Sequence, residues 1–174
     1  MSRELNIDPK RIAIGGNSAG SGLAAALAQM TYDRKDIQPA FQLLLYPMLD
    51  DRTVLRTDID DSNNVTWNHK SNRFGWESYL GQECGAEKVP AYSVPARRTD
   101  LSGLPPAWIG VGDLDIFHDE DVAYAHRLQE CGVECKLDVI PGAFHGFDAF
   151  DQHAPIVQEF KTMQVSALKK YLLQ

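Results

Sequence analysis

The stretch Gly16-Asn17-Ser18-Ala19-Gly20 constrains the fold of this chain most. A short apolar run, Arg11-Ile12-Ala13-Ile14, leads into it, and an alanine-rich segment from Ser18 to about Met30 leads out. A serine framed by glycines where a strand gives way to a helix implies a turn sharp enough to strain the serine backbone. Small neighbours let the flanking elements close around that turn. The hydroxyl is thereby raised above the carboxyl ends of the strands, where parallel sheets bind their ligands. A helix starting here also aims free N–H groups and a positive dipole end at the same place, so the Ala19 N–H is a candidate oxyanion donor. A glycine-rich turn of this form also suits phosphate, so the turn by itself does not fix the chemistry.

Three further apolar runs follow. Phe41 to Tyr46 and Ala107 to Val111 are nearly continuous, as interior parallel strands buried on both faces require. In the last, Cys135, Leu137 and Val139 alternate with Glu134, Lys136 and Asp138, which predicts an edge strand with one wet face. Helices are expected over Ser18 to Met30, Asp119 to Cys131 (stopped by Gly132) and Pro155 to Leu172. Strands alternating with helices predict an α/β fold with a mainly parallel sheet and right-handed crossovers. The segment from Asp50 to Gly103 differs. It is polar and turn-rich yet holds Trp67, Phe74, Trp76 and Tyr79, and it reads as an irregular insertion whose aromatics either anchor it or face a substrate.

A serine hydroxyl is a weak nucleophile until a base takes its proton, so a histidine and an orienting carboxylate are expected on later strand ends. Val111-Gly112-Asp113-Leu114-Asp115 closes the third run, and Pro141 to Phe147, with His145 at its centre, closes the fourth. Ser18, Asp115 and His145 thus fall at the carboxyl ends of three different strands. Asp113 is the runner-up acid, and Asp119 reads as a cap for the following helix. His69, His118, His126 and His153 suit surface positions better.

Composition narrows the partners. The 174 residues hold 17 Lys and Arg against 24 Asp and Glu, a net charge of −7, which offers no basic field for a nucleic acid. No run approaches the ~18 apolar residues of a membrane span, and Met1 to Asn6 lacks the apolar core of a signal peptide, so a cytoplasmic location is expected. Cys84, Cys131 and Cys135 form no CxxC pair and read as packed thiols. Neither a metal nor a cofactor is expected. Asn64-Val65-Thr66 matches a glycosylation acceptor, which without a secretion signal reads as coincidence.

Taken in order, these segments resemble the hormone-sensitive-lipase-like family of α/β-hydrolase esterases. The resemblance rests on Glu4 to Ala13, the elbow, Tyr46-Pro47-Met48-Leu49-Asp50, Pro95-Ala96-Arg97, Asp100 to Ala107, Asp115, and Phe144-His145-Gly146-Phe147. It implies a serine carboxylesterase for short or medium acyl esters, with Ser18 as nucleophile, His145 as base and Asp115 as acid. Two local departures stand out: Asn17 replaces the usual Asp of the elbow, and Asp115-Ile116-Phe117-His118-Asp119 replaces D-P-L-R-D. The larger one is that an H-G-G-G loop and four strands precede the elbow in the family, and H-G-G-G occurs nowhere among these residues. The resemblance therefore implies a single carboxyl-terminal part of the domain over 1–174, strands five to eight, with a variable insertion at about 50–103. An open edge near Ile12 to Ile14 is then expected to favour a homo-oligomer or pairing with another chain. Two other readings stay open: an inactive half-domain serving as an interaction protein, and amide hydrolysis or acyl transfer on the same elbow.

Overall fold

A computed structural model describes residues 7–61 and 64–173. Glu4 to Asn6 and the leader segment read above lie outside the described residues. Four strands, β1 (Ala13–Asn17), β2 (Phe41–Leu45), β3 (Ala107–Gly112) and β4 (Cys135–Ile140), form a parallel sheet in the order β1-β2-β3-β4. Helices α1 (Ala19–Arg34), α3 (His118–Glu130) and α4 (Pro155–Leu172) pack on it, and α2 (His69–Leu80) packs against the 3₁₀ turn Asp51–Leu55 beyond its rim. The register sets Asn17 opposite Leu45 and Gly112 opposite Ile140, so the strands end at one rim.

The sheet is coated on both faces. Leu44 and Ile109 pack with Ala24, Ala25, Tyr124 and Leu128 of α1 and α3, while Phe41 and Trp108 pack with Val157 and Phe160 of α4. Both inner strands are thus buried on either side, the physical reason for their continuous apolar runs. β4 lies at an edge, as its alternation predicts, but the alternation lapses at its end. Val139 is exposed and Ile140 is buried, while Asp138 reaches across to accept from Trp108 Nε1 at 2.7 Å.

Several boundaries differ from the expected ones. β1 runs on through both glycines to Asn17, and a 3₁₀ turn, Pro9–Arg11, occupies the start of the expected run. α1 continues to Arg34 because Lys35, in the left-handed region at φ 54°, donates its N–H to the Thr31 and Tyr32 carbonyls. The insertion is irregular for most of its length but holds one regular helix. The Asn68 side chain accepts from the Ser71 N–H at 2.9 Å, Gly81 terminates the segment at φ 65°, and between them runs the twelve-residue α2. A buried, bidentate ion pair closes the insertion: Arg97 donates through Nε and Nη2 to Asp51 at 2.8 and 2.7 Å, and the Gly85 N–H adds a third bond to that carboxylate. Cys84 and Cys135 are buried free thiols and Cys131 is half-buried; burial pushes Cys135 up to about 12. No described helix is long and apolar enough to cross a membrane.

Candidate active site

Ser18 occupies the junction of β1 and α1 with φ 53° and ψ −124°, a conformation that non-glycine residues rarely adopt. Its carbonyl accepts from the N–H groups of Ser21, Gly22 and Met48, and its own N–H donates to the Leu45 carbonyl, so the strained turn is held from four sides. Gly16 is sterically required: a Cβ there would lie 2.6 Å from the Gly20 carbonyl carbon. Gly20 is not; a Cβ there meets only Asn17 Oδ1 at 3.9 Å. The tighter position is Gly22, which the motif does not contain and whose Cβ would fall 2.2 Å from the Met48 carbonyl oxygen. Asn17 is exposed at the rim.

The structure brings Ser18, His145 and Asp115 together. Ser18 Oγ lies 2.9 Å from His145 Nε2, and His145 Nδ1 lies 2.8 Å from Asp115 Oδ2. The Asp115 side chain is fully buried and its second oxygen accepts from the Phe117 N–H at 2.9 Å. With Nδ1–H committed to that carboxylate, Nε2 presents its lone pair to the serine hydroxyl. The acid loop and the histidine loop touch backbone to backbone: a Cβ on Gly112 would sit 2.0 Å from the Ala143 carbonyl oxygen. Asp113, the runner-up acid, is exposed and instead accepts from the Gly142 N–H at 2.7 Å, fixing the turn before His145. Asp119 does not cap α3. It lies inside the first turn, paired with Arg56 and His118, and Asp115 serves the helix start. Of the other histidines, His69 and His118 open α2 and α3, His126 lies within α3, and His153 is exposed.

Tyr46, Phe117 and Thr66, which belong to neither the elbow nor the triad, hold His145 in place, and Glu120 braces the start of the insertion. Tyr46 and Phe117 set their rings edge-on to it, with centroids 4.9 and 5.0 Å away. Tyr46 Oη donates to Asp148 Oδ1 at 2.7 Å, which ties the end of β2 to the histidine loop, and burial with that neighbouring carboxylate pushes the phenol's pKa well up. Thr66 Oγ1 donates to the His145 carbonyl at 2.5 Å. Glu120 accepts from the Leu49 and Asp50 N–H groups at 2.7 and 3.1 Å and from the Thr53 hydroxyl, and so pins the start of the insertion to α3. Burial pushes Glu120 up to about 8 in spite of those donors, and its neighbour Asp121, buried and without a hydrogen-bond partner among the described residues, is also held well above the carboxylate range. Tyr46 lies in the singled-out segment Tyr46 to Asp50, Phe117 in Asp115 to Asp119 and Thr66 in Asn64 to Thr66, but each segment stands out for another reason, and no local pattern marks the contacts that these residues or Glu120 make.

A cleft of about 170 Å³ opens beside Ser18 and Ala19, lined mainly by apolar side chains that include Met48, Trp67, Trp76 and Tyr79. Of the four aromatics expected in the insertion, these three reach the cleft, and Phe74 is 73% exposed.

A family profile described as the α/β-hydrolase fold matches residues 1–149. The chain is 33% identical to carboxylesterase NlhH of Mycobacterium tuberculosis over 97% of its own length and 53% of that protein. It is 29% identical to ethyl acetate hydrolase of Pseudomonas putida, over 99% of the chain and 54% of that protein. Among solved structures, a bacterial heroin esterase superposes with a TM-score of 0.89 at 35% identity, covering 98% of this chain and 55% of that one. The chain thus spans about half the length of the curated relatives it matches. On the profile, the relatives and the shared sheet, the chain belongs to the hormone-sensitive-lipase-like family of α/β-hydrolase esterases.

Proposed function

We propose that residues 1–174 are the carboxyl-terminal part of a serine carboxylic ester hydrolase acting on short or medium acyl esters, with 50–103 as its variable insertion. The observation that supports this is the relay from Ser18 Oγ to His145 Nε2 and from His145 Nδ1 to Asp115 Oδ2, at 2.9 and 2.8 Å. Ser18 Oγ attacks the ester carbonyl carbon as its proton passes to His145 Nε2. The oxyanion of the tetrahedral intermediate accepts from the Ala19 N–H, at the positive end of the sixteen-residue α1. His145, steadied by the Asp115 carboxylate, gives the proton to the departing alkoxide as the carbonyl carbon–oxygen bond breaks. Water then attacks the acyl-Ser18, loses its proton to His145 and releases the acid, with the serine restored. One oxyanion donor is worth on the order of 10²–10³ in rate, so a second donor, supplied in the family by the glycine loop, belongs to the full site. Asn17 and the two motif glycines, Gly16 and Gly20, serve the elbow.

The free edge of β1 near Ile12 to Ile14 is proposed as the surface that pairs with a second copy or with the amino-terminal half of such a fold. In the sheet of the described residues β1 is a terminal strand, and it lacks the charged side chains that protect β4. A small ester as substrate and a cytoplasmic location complete the proposal.

Intact mass of the purified chain with a fluorophosphonate probe, followed by peptide mapping, tests the reading. One adduct on Ser18, absent from Ser18→Ala, is the expected result. An unlabelled chain that stays unlabelled when an amino-terminal half is supplied would remove the triad and leave an interaction half-domain.

A further inference from the structure

Gly75 stands in the middle of α2 in ordinary helical geometry, where a glycine weakens the helix and no turn needs it. Its surroundings supply the reason. A Cβ at this position would lie 3.2 Å from Trp67 Cζ2 and 3.8 Å from Met48 Cε, and all three residues line the cleft beside Ser18. The missing side chain leaves room for the Trp67 indole, and any side chain here would displace the indole or the thioether that wall the cleft. Trp76 and Met48 are buried while Leu23 and Tyr79 are about half exposed, so the cleft has a closed apolar end and an open mouth.

The orientation of an ester in it follows from where the proton must go. The leaving oxygen takes its proton from His145 Nε2 and so lies on the histidine side of Ser18. The cleft is lined by Ala19 and Gly22 of α1 and by no residue of the histidine loop, which puts the acyl group rather than the alcohol inside it. Its size limits the occupant. An enclosed apolar cavity of roughly 150 Å³ accepts one benzene ring; this cleft, open at its mouth, holds about 170 Å³. Trp67, Trp76 and Tyr79 offer ring faces and edges to such a group.

We infer that Gly75 sets the size of an acyl pocket built for one six-membered ring or a branched chain of equal bulk, so that the preferred substrates are esters of compact aryl or branched acids. This inference rests on the ester-hydrolase reading of Ser18. It is tested with p-nitrophenyl acetate, phenylacetate and decanoate, which share one leaving group, by following the nitrophenol burst and the mass of the Ser18 adduct.

Phenylacetate is expected to acylate Ser18 faster than decanoate. Gly75→Leu is expected to lower the phenylacetate-to-acetate ratio about tenfold or more. Tyr79→Ala, which widens the mouth, is expected to move the decanoate-to-phenylacetate ratio the other way. A Gly75→Leu chain that still takes the fluorophosphonate but keeps the wild-type ratio overturns the inference, as does one whose rates change with the size of the alcohol in a matched series of acetate esters instead. If the wild-type chain takes no fluorophosphonate even when an amino-terminal half is supplied, the ester-hydrolase reading fails, and the pocket is judged separately by titrating Ser18→Ala with phenylacetate while following tryptophan fluorescence. Saturable quenching abolished by Gly75→Leu upholds the pocket, and no saturable quenching overturns it.

Discussion

The rim of this sheet joins two regions built on different physics. On one side, Ser18, Asp115 and His145 stand on strand ends where backbone meets backbone, with Gly16 and Gly112 left no room for a side chain. On the other, the segment from Asp50 to Gly103 forms a wall from α2, three aromatic rings and one buried ion pair. The first region is fixed by sterics and hydrogen bonds, which tolerate little change. The second is fixed by side-chain packing, which can change shape while the chemistry beside it stays the same. Two side chains couple the two: Thr66 reaches from the wall to the His145 carbonyl, and Glu120 holds Leu49, Asp50 and Thr53 to the helix that follows Asp115.

The largest effect is expected on the rigid side. Asp115→Asn keeps the size of a side chain that is fully buried, yet its amide can turn an N–H toward His145 and favour the tautomer that hides the lone pair from Ser18. Loss of the acid's charge in such a triad lowers the rate by roughly 10⁴. The rate of Ser18 modification by a fluorophosphonate, measured beside wild type, should fall by at least about a thousandfold while the fold is retained by circular dichroism. A fall of less than tenfold would mean that another group orients the imidazole, and Asp113 would then have to be tested in the same way.

The same contrast explains what could be read from the sequence. The elbow was legible because its strain demands particular residues at particular spacing, and β2 and β3 because burial on both faces demands unbroken apolar runs. Asp115 stood out because it closes the unbroken third run and His145 because it follows the alternating fourth, and the structure brings both beside Ser18. α2 was missed: its apolar residues Phe74, Trp76, Tyr79 and Leu80 crowd the later part of a short helix behind a polar start, and Asn68 and Gly81 mark its ends. Glu120 and Phe117 could not be found by pattern, because their partners lie 67–71 and 28 positions away, across loops whose path the sequence does not encode locally. The role expected for Asp119 failed because Asp115, two residues before Phe117, already occupied the helix start.

Glu120 tests the joint between the regions through pH. Burial raises its folded pKa from the ordinary 4.5 to about 8, so the folded state holds a proton there that the unfolded chain releases. Its contribution is fully present below the unfolded value and is lost as pH climbs through that window toward about 8. The total is on the order of a few kcal/mol. Glu120→Gln keeps an acceptor for the Leu49 and Asp50 N–H groups but removes the titration. Urea unfolding near pH 5 and near pH 8 should therefore show a smaller loss of stability on going alkaline in Glu120→Gln than in wild type. Asp121, raised in the same direction, leaves part of the slope in place. Identical slopes in the two proteins would mean that the three donors hold Glu120 ionised in the fold after all.

The smallest effects concern two glycines only two residues apart, and they are expected to differ in sign. Gly22 lies where α1 passes the chain leading into the wall, and a Cβ there would press 2.2 Å from the Met48 carbonyl oxygen, a backbone atom with no rotamer to escape into. Gly20 belongs to the motif, yet its Cβ would meet only the tip of the Asn17 side chain at 3.9 Å. Gly22→Ala should destabilise by about 1–3 kcal/mol, as overpacking does. Gly20→Ala, placed in the first turn of α1, should be neutral or stabilise by up to about 1 kcal/mol. Urea midpoints of the two variants measure the difference directly. If Gly20→Ala proves the more damaging, the motif glycine is needed for something other than room among these residues, such as a second chain closing over the elbow from the free side of β1.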